Sequence, residues 1–365
     1  NVAMGYGALG TEDTGGQNVA IGVNALNTLN YDGNGLNVAV GYGAGAAVST
    51  GTQNTLIGGL AGDALTTGAN NVAIGYQALS SEDTQGLNVA VGSYALLNLN
   101  AGSNAYNVAV GYNSGQAMTT GTQNTIIGGM AGDALTSGAN NVAMGYAALS
   151  TEDTRGYNVA IGAYALQDLN AAADAYNVAI GYSAAKELTT GTYNTVLGTQ
   201  AMSTGITTGD YNIAIGYQAG NAMTSGSYNT LFGGLAGDAL TTGSYNVAIG
   251  HQALSTEDGN GRNIAIGYSA LRDQNAGAEA YNIAIGFDTG KVITTGTLNV
   301  LIGGLAGDAL TTGANNVAIG HQALSAEDGD GYNVAVGTYA LAAQNAGANA
   351  YNTAIGYDAG GSVST

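Results

Sequence analysis

Four kinds of residue in this chain could carry chemistry: one glycine-rich phrase, two histidines, a set of recurring carboxylates and a series of tyrosines. Gly5-Tyr6-Gly7-Ala8-Leu9-Gly10 has the letters of the dinucleotide fingerprint. That fingerprint grips a pyrophosphate only where it joins a strand to a helix in a βαβ unit. Matching segments read Gly-Tyr-Gln-Ala-Leu, as from Gly75 to Leu79, so the second glycine is incidental. His251 and His321 are the only histidines, and each stands where equivalent segments carry Tyr76 or Tyr146. They read as variants of a half-exposed ring, not as bases or ligands. The chain has no cysteine, which removes thiolate nucleophiles, thiolate metal sites and disulfides. No Ser-His-Asp or Cys-His set can be assembled, and no catalytic residue is expected.

The carboxylates recur in two settings. Glu12-Asp13, Glu82-Asp83, Glu152-Asp153, Glu257-Asp258 and Glu327-Asp328 mark one kind of segment, and Asp63, Asp133, Asp238 and Asp308 another. They read as solvated turns. Calcium bridging such turns through backbone carbonyls is the one cofactor left open, although no D-x-D-x-D or nonapeptide calcium pattern is present. The tyrosines are the candidates for recognition. Ten of the 23 stand immediately before a repeated Asn: Tyr106, Tyr157, Tyr176, Tyr193, Tyr211, Tyr228, Tyr245, Tyr281, Tyr332 and Tyr351. Another group, including Tyr6, Tyr42 and Tyr76, follows a repeated Gly. A ring with an apolar body and a polar tip can stack on a sugar, pack on a partner or fill a corner. If the rings bind, their repetition supplies avidity.

The framework that must position these residues is a repeat. An Asn opens the phrase Asn-x-apolar-apolar-Gly twenty-one times, from Asn1 to Asn352, in steps of 17 or 19 residues with a single 18 between Asn194 and Asn212. Units this short cannot bury their own apolar face and must stack. Four kinds of unit, of 17, 19, 17 and 17 residues, close a 70-residue block, as from Asn88 to Asn158. The order breaks at 194–228, which reads as irregular inserted coils. No Pro-rich, Ser-rich or charged linker interrupts the series, so 1–365 reads as one continuous array and a section of a longer chain.

The phrase specifies a strand. Its apolar burst is three residues long, rich in Val and Ile and closed by Gly, with no helical spacing. Asn18, Asn37, Asn54, Asn71 and Asn88 are expected to form an amide ladder along the stacking axis. Gly22, Gly41, Gly58, Gly75 and Gly92 are expected where a Cβ would clash or φ is positive. Within a burst, Val19 and Ile21 face one way and Ala20 the other. The middle residue is Ala in most units but Leu56, Ile126, Val196, Leu231 or Leu301 in others, so both faces are apolar and both ask for burial. One fills the coil. The other, taken as the face of the middle residues, calls for the same strand from other copies, or is merely a mildly apolar flank.

The composition fits: 62 glycines, 8% charged residues, and 24 acidic against 5 basic residues for a net charge of −19. Such acidity argues against nucleic acid and anionic membrane surfaces, and no apolar run is long enough to insert into a membrane.

Segments such as Asn71-Val-Ala-Ile-Gly-Tyr-Gln-Ala-Leu79 and Asn246-Val-Ala-Ile-Gly-His-Gln-Ala-Leu254 resemble the repeats of phage tail-fibre and related tail-fibre-domain proteins. More distantly they are similar to the head repeats of YadA-type trimeric autotransporter adhesins. The resemblance implies a left-handed parallel β-roll, a homotrimer with three chains side by side, and extracellular display on a virion or cell surface for host attachment. The coils here are longer than the adhesin type, and neither a neck motif nor a coiled-coil stalk is present. The expectation is an all-β parallel solenoid acting as a non-enzymatic spacer or adhesive shaft, its partners being itself and a cell-surface glycan or protein receptor. Two alternatives stay open: a filament or matrix protein whose solenoids join end to end, and an ice-binding solenoid using Thr-Thr-Gly turns such as Thr66-Thr67-Gly68.

Overall fold

The computed structural model describes every residue except Asp13, Gln85, Asp153, Asp258, Asn260, Asp328, Asp330, Gly347, Ala348, Ser364 and Thr365. The chain forms two compact units, Asn1–Asn177 and Val178–Thr365. Each is a parallel β-solenoid, and there is no helix among the described residues, hence none long and apolar enough to cross a membrane.

The first unit contains ten three-residue strands, from β1 (Val2–Met4) and β2 (Val19–Ile21) to β10 (Val159–Ile161). The second contains eleven, from β11 (Val178–Ile180) to β21 (Thr353–Ile355). Within each unit every strand lies parallel to the next with no slip: Val72 pairs with Val89, Ala73 with Ala90 and Ile74 with Val91. Equivalent residues therefore form columns.

Each strand stops after three residues because of the glycine that follows it. From Gly5 to Gly356 these glycines hold φ between 128° and 142°, a region closed to side chains. A Cβ on Gly75 would lie 2.4 Å from the carbonyl oxygen of Gly92 in the next coil. Beyond the glycine, left-handed residues alternate with ordinary ones, as at Gln77 (φ 52°) and Leu79 (φ 52°). The two left-handed residues send their N–H groups to opposite sides of the coil: Gln77 N donates back to Gly59 O at 3.0 Å, and Leu79 N donates onward to Ala95 O at 3.0 Å. Left-handed backbone costs about 1–2 kcal/mol per non-glycine residue. It is offset here by axial hydrogen bonds, about 0.5–1.5 kcal/mol each, and by complete burial of Leu79.

The repeated asparagines are buried and tie coil to coil. Asn54 Oδ1 accepts the backbone N–H of Asn71 at 3.0 Å, and Asn71 Oδ1 accepts that of Asn88 at 3.1 Å. The amide nitrogen mostly serves the far side of its own coil, as where Asn54 Nδ2 donates to Gly68 O at 2.8 Å. The ladder is thus chiefly side chain to backbone, with amide-to-amide contacts such as Asn54 Nδ2 to Asn37 Oδ1 at 3.2 Å as a second bond.

The middle strand residues overturn one expectation. Ala20, Ala73 and the larger Leu56, Ile126, Leu231 and Leu301 all point inward and are fully buried. Interior volume explains the alternation of size. Ten of the 21 coils place a leucine, such as Leu26 or Leu79, six residues after the middle strand residue, whereas glycine occupies that position in nine, Gly45 and Gly62 doing so in two successive coils. Leu56 fills the space: a Cβ on Gly45 would lie 2.6 Å from its Cδ1, and one on Gly62 2.8 Å from its Cδ2. Leu301 stands in the same way against Gly290 and Gly307. The four-coil grammar is the trace of a core packed to constant volume.

Within 194–228 the strands keep register, with Thr195 on Ile213 and Ile213 on Thr230. The turn absorbs the extra residue of the 18-residue coil. Gly205 N donates to Glu187 Oε2 at 2.8 Å, Leu188 bridges Thr207, and Ile206 is pushed outward to 69% exposure.

Candidate interaction surface

The face that lacks an internal partner carries the first and third strand residues. Val72 and Ile74 are half-buried around a buried Ala73, and this pattern recurs through both units. Two further columns flank the strand on its exposed side. The residue before the Asn and the residue after the strand-closing Gly, which is itself glycine at 59, 129, 234 and 304, lie on this side, as do Tyr176 and Tyr182 on either side of Val178 and Ile180. Four residues across, the stripe reads Tyr-Val-Ile-Tyr in its fullest form.

Charge is excluded from it. Of 5 basic and 24 acidic residues, only Arg262 occupies one of these four positions. Its guanidinium sits 5.7 Å from the Tyr245 ring centre and 5.5 Å from that of Tyr281. Its charge is met by Glu279, which also accepts the Tyr281 hydroxyl at 2.8 Å.

All ten tyrosines singled out from the sequence, Tyr106, Tyr157, Tyr176, Tyr193, Tyr211, Tyr228, Tyr245, Tyr281, Tyr332 and Tyr351, lie in the column before the Asn and are 43–68% exposed. Each has left-handed backbone, φ 50–65°, a conformation that Gly or Asn would adopt with less strain. Tyr193, Tyr211, Tyr228 and Tyr245 form one stack, with centroids 4.9, 5.2 and 5.1 Å apart and planes within 6° of parallel. Tyr157 stacks on Tyr176 at 5.0 Å and Tyr332 on Tyr351 at 5.1 Å. Ring faces in the middle of a stack are covered by their neighbours, leaving edges and hydroxyls to solvent. Sugar stacking has no free face there.

The column after the Gly is looser. Between Tyr76 and Tyr112 it holds Ser93, and Tyr94, one residue further along, meets both tyrosines edge to face at 5.5 and 6.1 Å. His251 stacks on Tyr268, which stacks on Phe287, so the histidine acts as one more ring. Tyr76 and His251 lean over Gly59 and Gly234 of the preceding coil.

The carboxylates stay apart. Among the described residues no three His, Cys, Asp or Glu side chains gather to hold a metal. The solvated-turn reading fails for the glutamates: Glu82, Glu152, Glu257 and Glu327 are fully buried. Their role is to hold backbone, as where Glu12 Oε1 accepts Gly15 N at 2.6 Å and Glu152 Oε1 accepts Arg155 N at 3.1 Å. Asp13, Asp153, Asp258 and Asp328 lie outside the described residues, whereas Asp83 is half-buried. The Oδ1 atoms of Asp63, Asp133, Asp238 and Asp308 are buried without a hydrogen-bond partner. That burial raises each carboxyl above its ordinary value, partly offset by a backbone N–H. The Thr-Thr-Gly turns use their first hydroxyl axially: Thr66 Oγ1 donates to Asp83 O at 2.7 Å and Thr294 Oγ1 to Thr311 O at 3.1 Å.

Sequence reasoning ranked the Ala face above the Val/Ile face as the one needing a partner. The missed signal was positional: the residues at −1, +1, +3 and +5 from each Asn are together free of charge, apart from Arg262. No protein-family model matches the chain, and no curated protein matches its sequence.

Proposed function

We propose that this protein is a non-enzymatic fibre segment in which copies of the chain pack their Val/Ile faces together, three around a common axis, in a left-handed β-roll. The single observation that carries the reading is the uncharged, half-exposed stripe repeated in coil after coil. In a chain of net charge −19, a stripe with one charged residue marks a surface that is desolvated in use. A second copy fits it because the columns have the same spacing in every copy, and like faces complement one another about a rotation axis. The tyrosine columns form the rim, ring bodies against the seam and hydroxyls in water. Such a fibre serves as an extracellular spacer or adhesive shaft, as in a virion tail fibre or surface adhesin, with host-surface glycan or protein as its target.

Sedimentation equilibrium and native mass measurement test the assembly. The expected species is a trimer, lost to monomer in Val142→Lys/Val159→Lys with unchanged circular dichroism. A monomeric wild-type chain refutes it, and particles that lengthen with concentration favour the end-to-end filament. Binding on a glycan array tests the adhesive part separately.

A further inference from the structure

We propose that Tyr193, Tyr211, Tyr228 and Tyr245 form a site of oxidative carbon–carbon cross-linking between successive coils of one chain. Their rings are stacked at 4.9–5.2 Å with planes within 6° of parallel, and about half of each side chain is exposed. An oxidant can therefore reach them, and each phenol has its coupling partner already beside it. Left-handed backbone at all four, φ 56–60°, fixes the direction in which the rings leave the coil. The chain has no cysteine, so tyrosine coupling is a covalent route by which its coils can be stapled along the axis.

The reaction requires a two-electron oxidant, here hydrogen peroxide acting through a haem peroxidase. Each of two tyrosines gives up one electron and its phenolic proton, becoming a neutral radical whose spin is shared with the ring carbons beside the oxygen. Two such carbons on neighbouring rings form the new bond. Their hydrogens then move to the phenolic oxygens, restoring both rings. Overall two hydrogen atoms leave the pair and the peroxide is reduced to two waters. Parallel stacking sets these carbons of neighbouring rings face to face. The edge-to-face pair Tyr76–Tyr94, at a similar 5.5 Å but 89°, instead aims one ring's edge at its neighbour's face.

The test exposes the full chain, at a series of dilutions, to haem peroxidase and hydrogen peroxide. Proteolysis and mass spectrometry then locate linked peptides. Expected are Tyr193–Tyr211, Tyr211–Tyr228 and Tyr228–Tyr245 links within single chains, each short of two hydrogens, in yields that do not fall on dilution. Tyr211→Phe keeps a stackable ring but has no phenolic hydrogen. It should lose the first two links and retain Tyr228–Tyr245. Links only between chains, equal yields at Tyr76–Tyr94, or no links while free tyrosine couples in the same tube would each overturn the proposal.

Discussion

Gly58 and Gly59 are adjacent in sequence, yet the fold assigns them opposite responses to one methyl group. Gly58 has φ 134°, and a Cβ there would lie 2.4 Å from Gly75 O and 2.7 Å from Gly75 C. Those atoms are backbone and cannot turn aside. A side chain in that region costs about 1–3 kcal/mol. Relieving the clash must also disturb the axial bonds Gly58 N to Val40 O and Gly75 N to Ile57 O, now 2.8 and 2.7 Å, which contribute about 0.5–1.5 kcal/mol each. Gly58→Ala should therefore lose on the order of 2–6 kcal/mol. Gly59 lies outside the positive-φ region, and its Cβ would meet Tyr76 Cδ2 at 3.5 Å, an ordinary contact. Gly59→Ala should be neutral or gain up to about 1 kcal/mol, because alanine restricts the unfolded chain. Guanidinium unfolding followed by far-ultraviolet circular dichroism reads both values. Amide exchange at Gly75, whose partner Ile57 O lies beside the substitution, should accelerate only in Gly58→Ala. Equal losses in the two variants would refute the account of the glycine column.

Other predictions concern the ladder, the core and the acids. Asn54→Ala leaves the buried Asn71 N–H without its acceptor at 3.0 Å and should lose about 1–3 kcal/mol in the same unfolding assay. Leu56→Ala empties the space over Gly45 and Gly62 and should lose about 2–5 kcal/mol, more than Ile57→Ala on the half-exposed face; similar losses would mean that the interior is not set by Leu56. Burial raises the Asp63, Asp133, Asp238 and Asp308 carboxyls, so the folded chain binds these protons more tightly than the unfolded one. Their contribution to stability therefore falls as pH rises from the ordinary carboxylate value of about 3.9 through the raised native one. Exchanging all four for Asn should raise the unfolding midpoint at neutral pH, with the difference shrinking as pH falls toward that ordinary value; a difference independent of pH would overturn this.

Much of this was legible in the residues. The Asn-to-Asn step set the coil length, the three-residue burst set the strand, and the closing Gly marked the position where φ is positive. Two things were not legible. Nothing in Val19-Ala20-Ile21 says which side is inside, because a strand apolar on both faces fits either way. The glutamates of the Glu-Asp pairs look like surface residues until the turns around them are built.

What the sequence settled by itself was everything that repeats: period, strand position, and the columns that parallel stacking without slip must create from a period. The tertiary structure decided direction. The coil interior is narrow, so the small middle residues turn inward, and the middle position holds leucine or isoleucine where glycines leave room, as Leu56 does between Gly45 and Gly62. The β-branched pairs at the first and third strand positions face away from the inward middle residue and, with the tyrosines, are left outside. Inside and outside are properties of packed volume, which residue spacing alone does not contain.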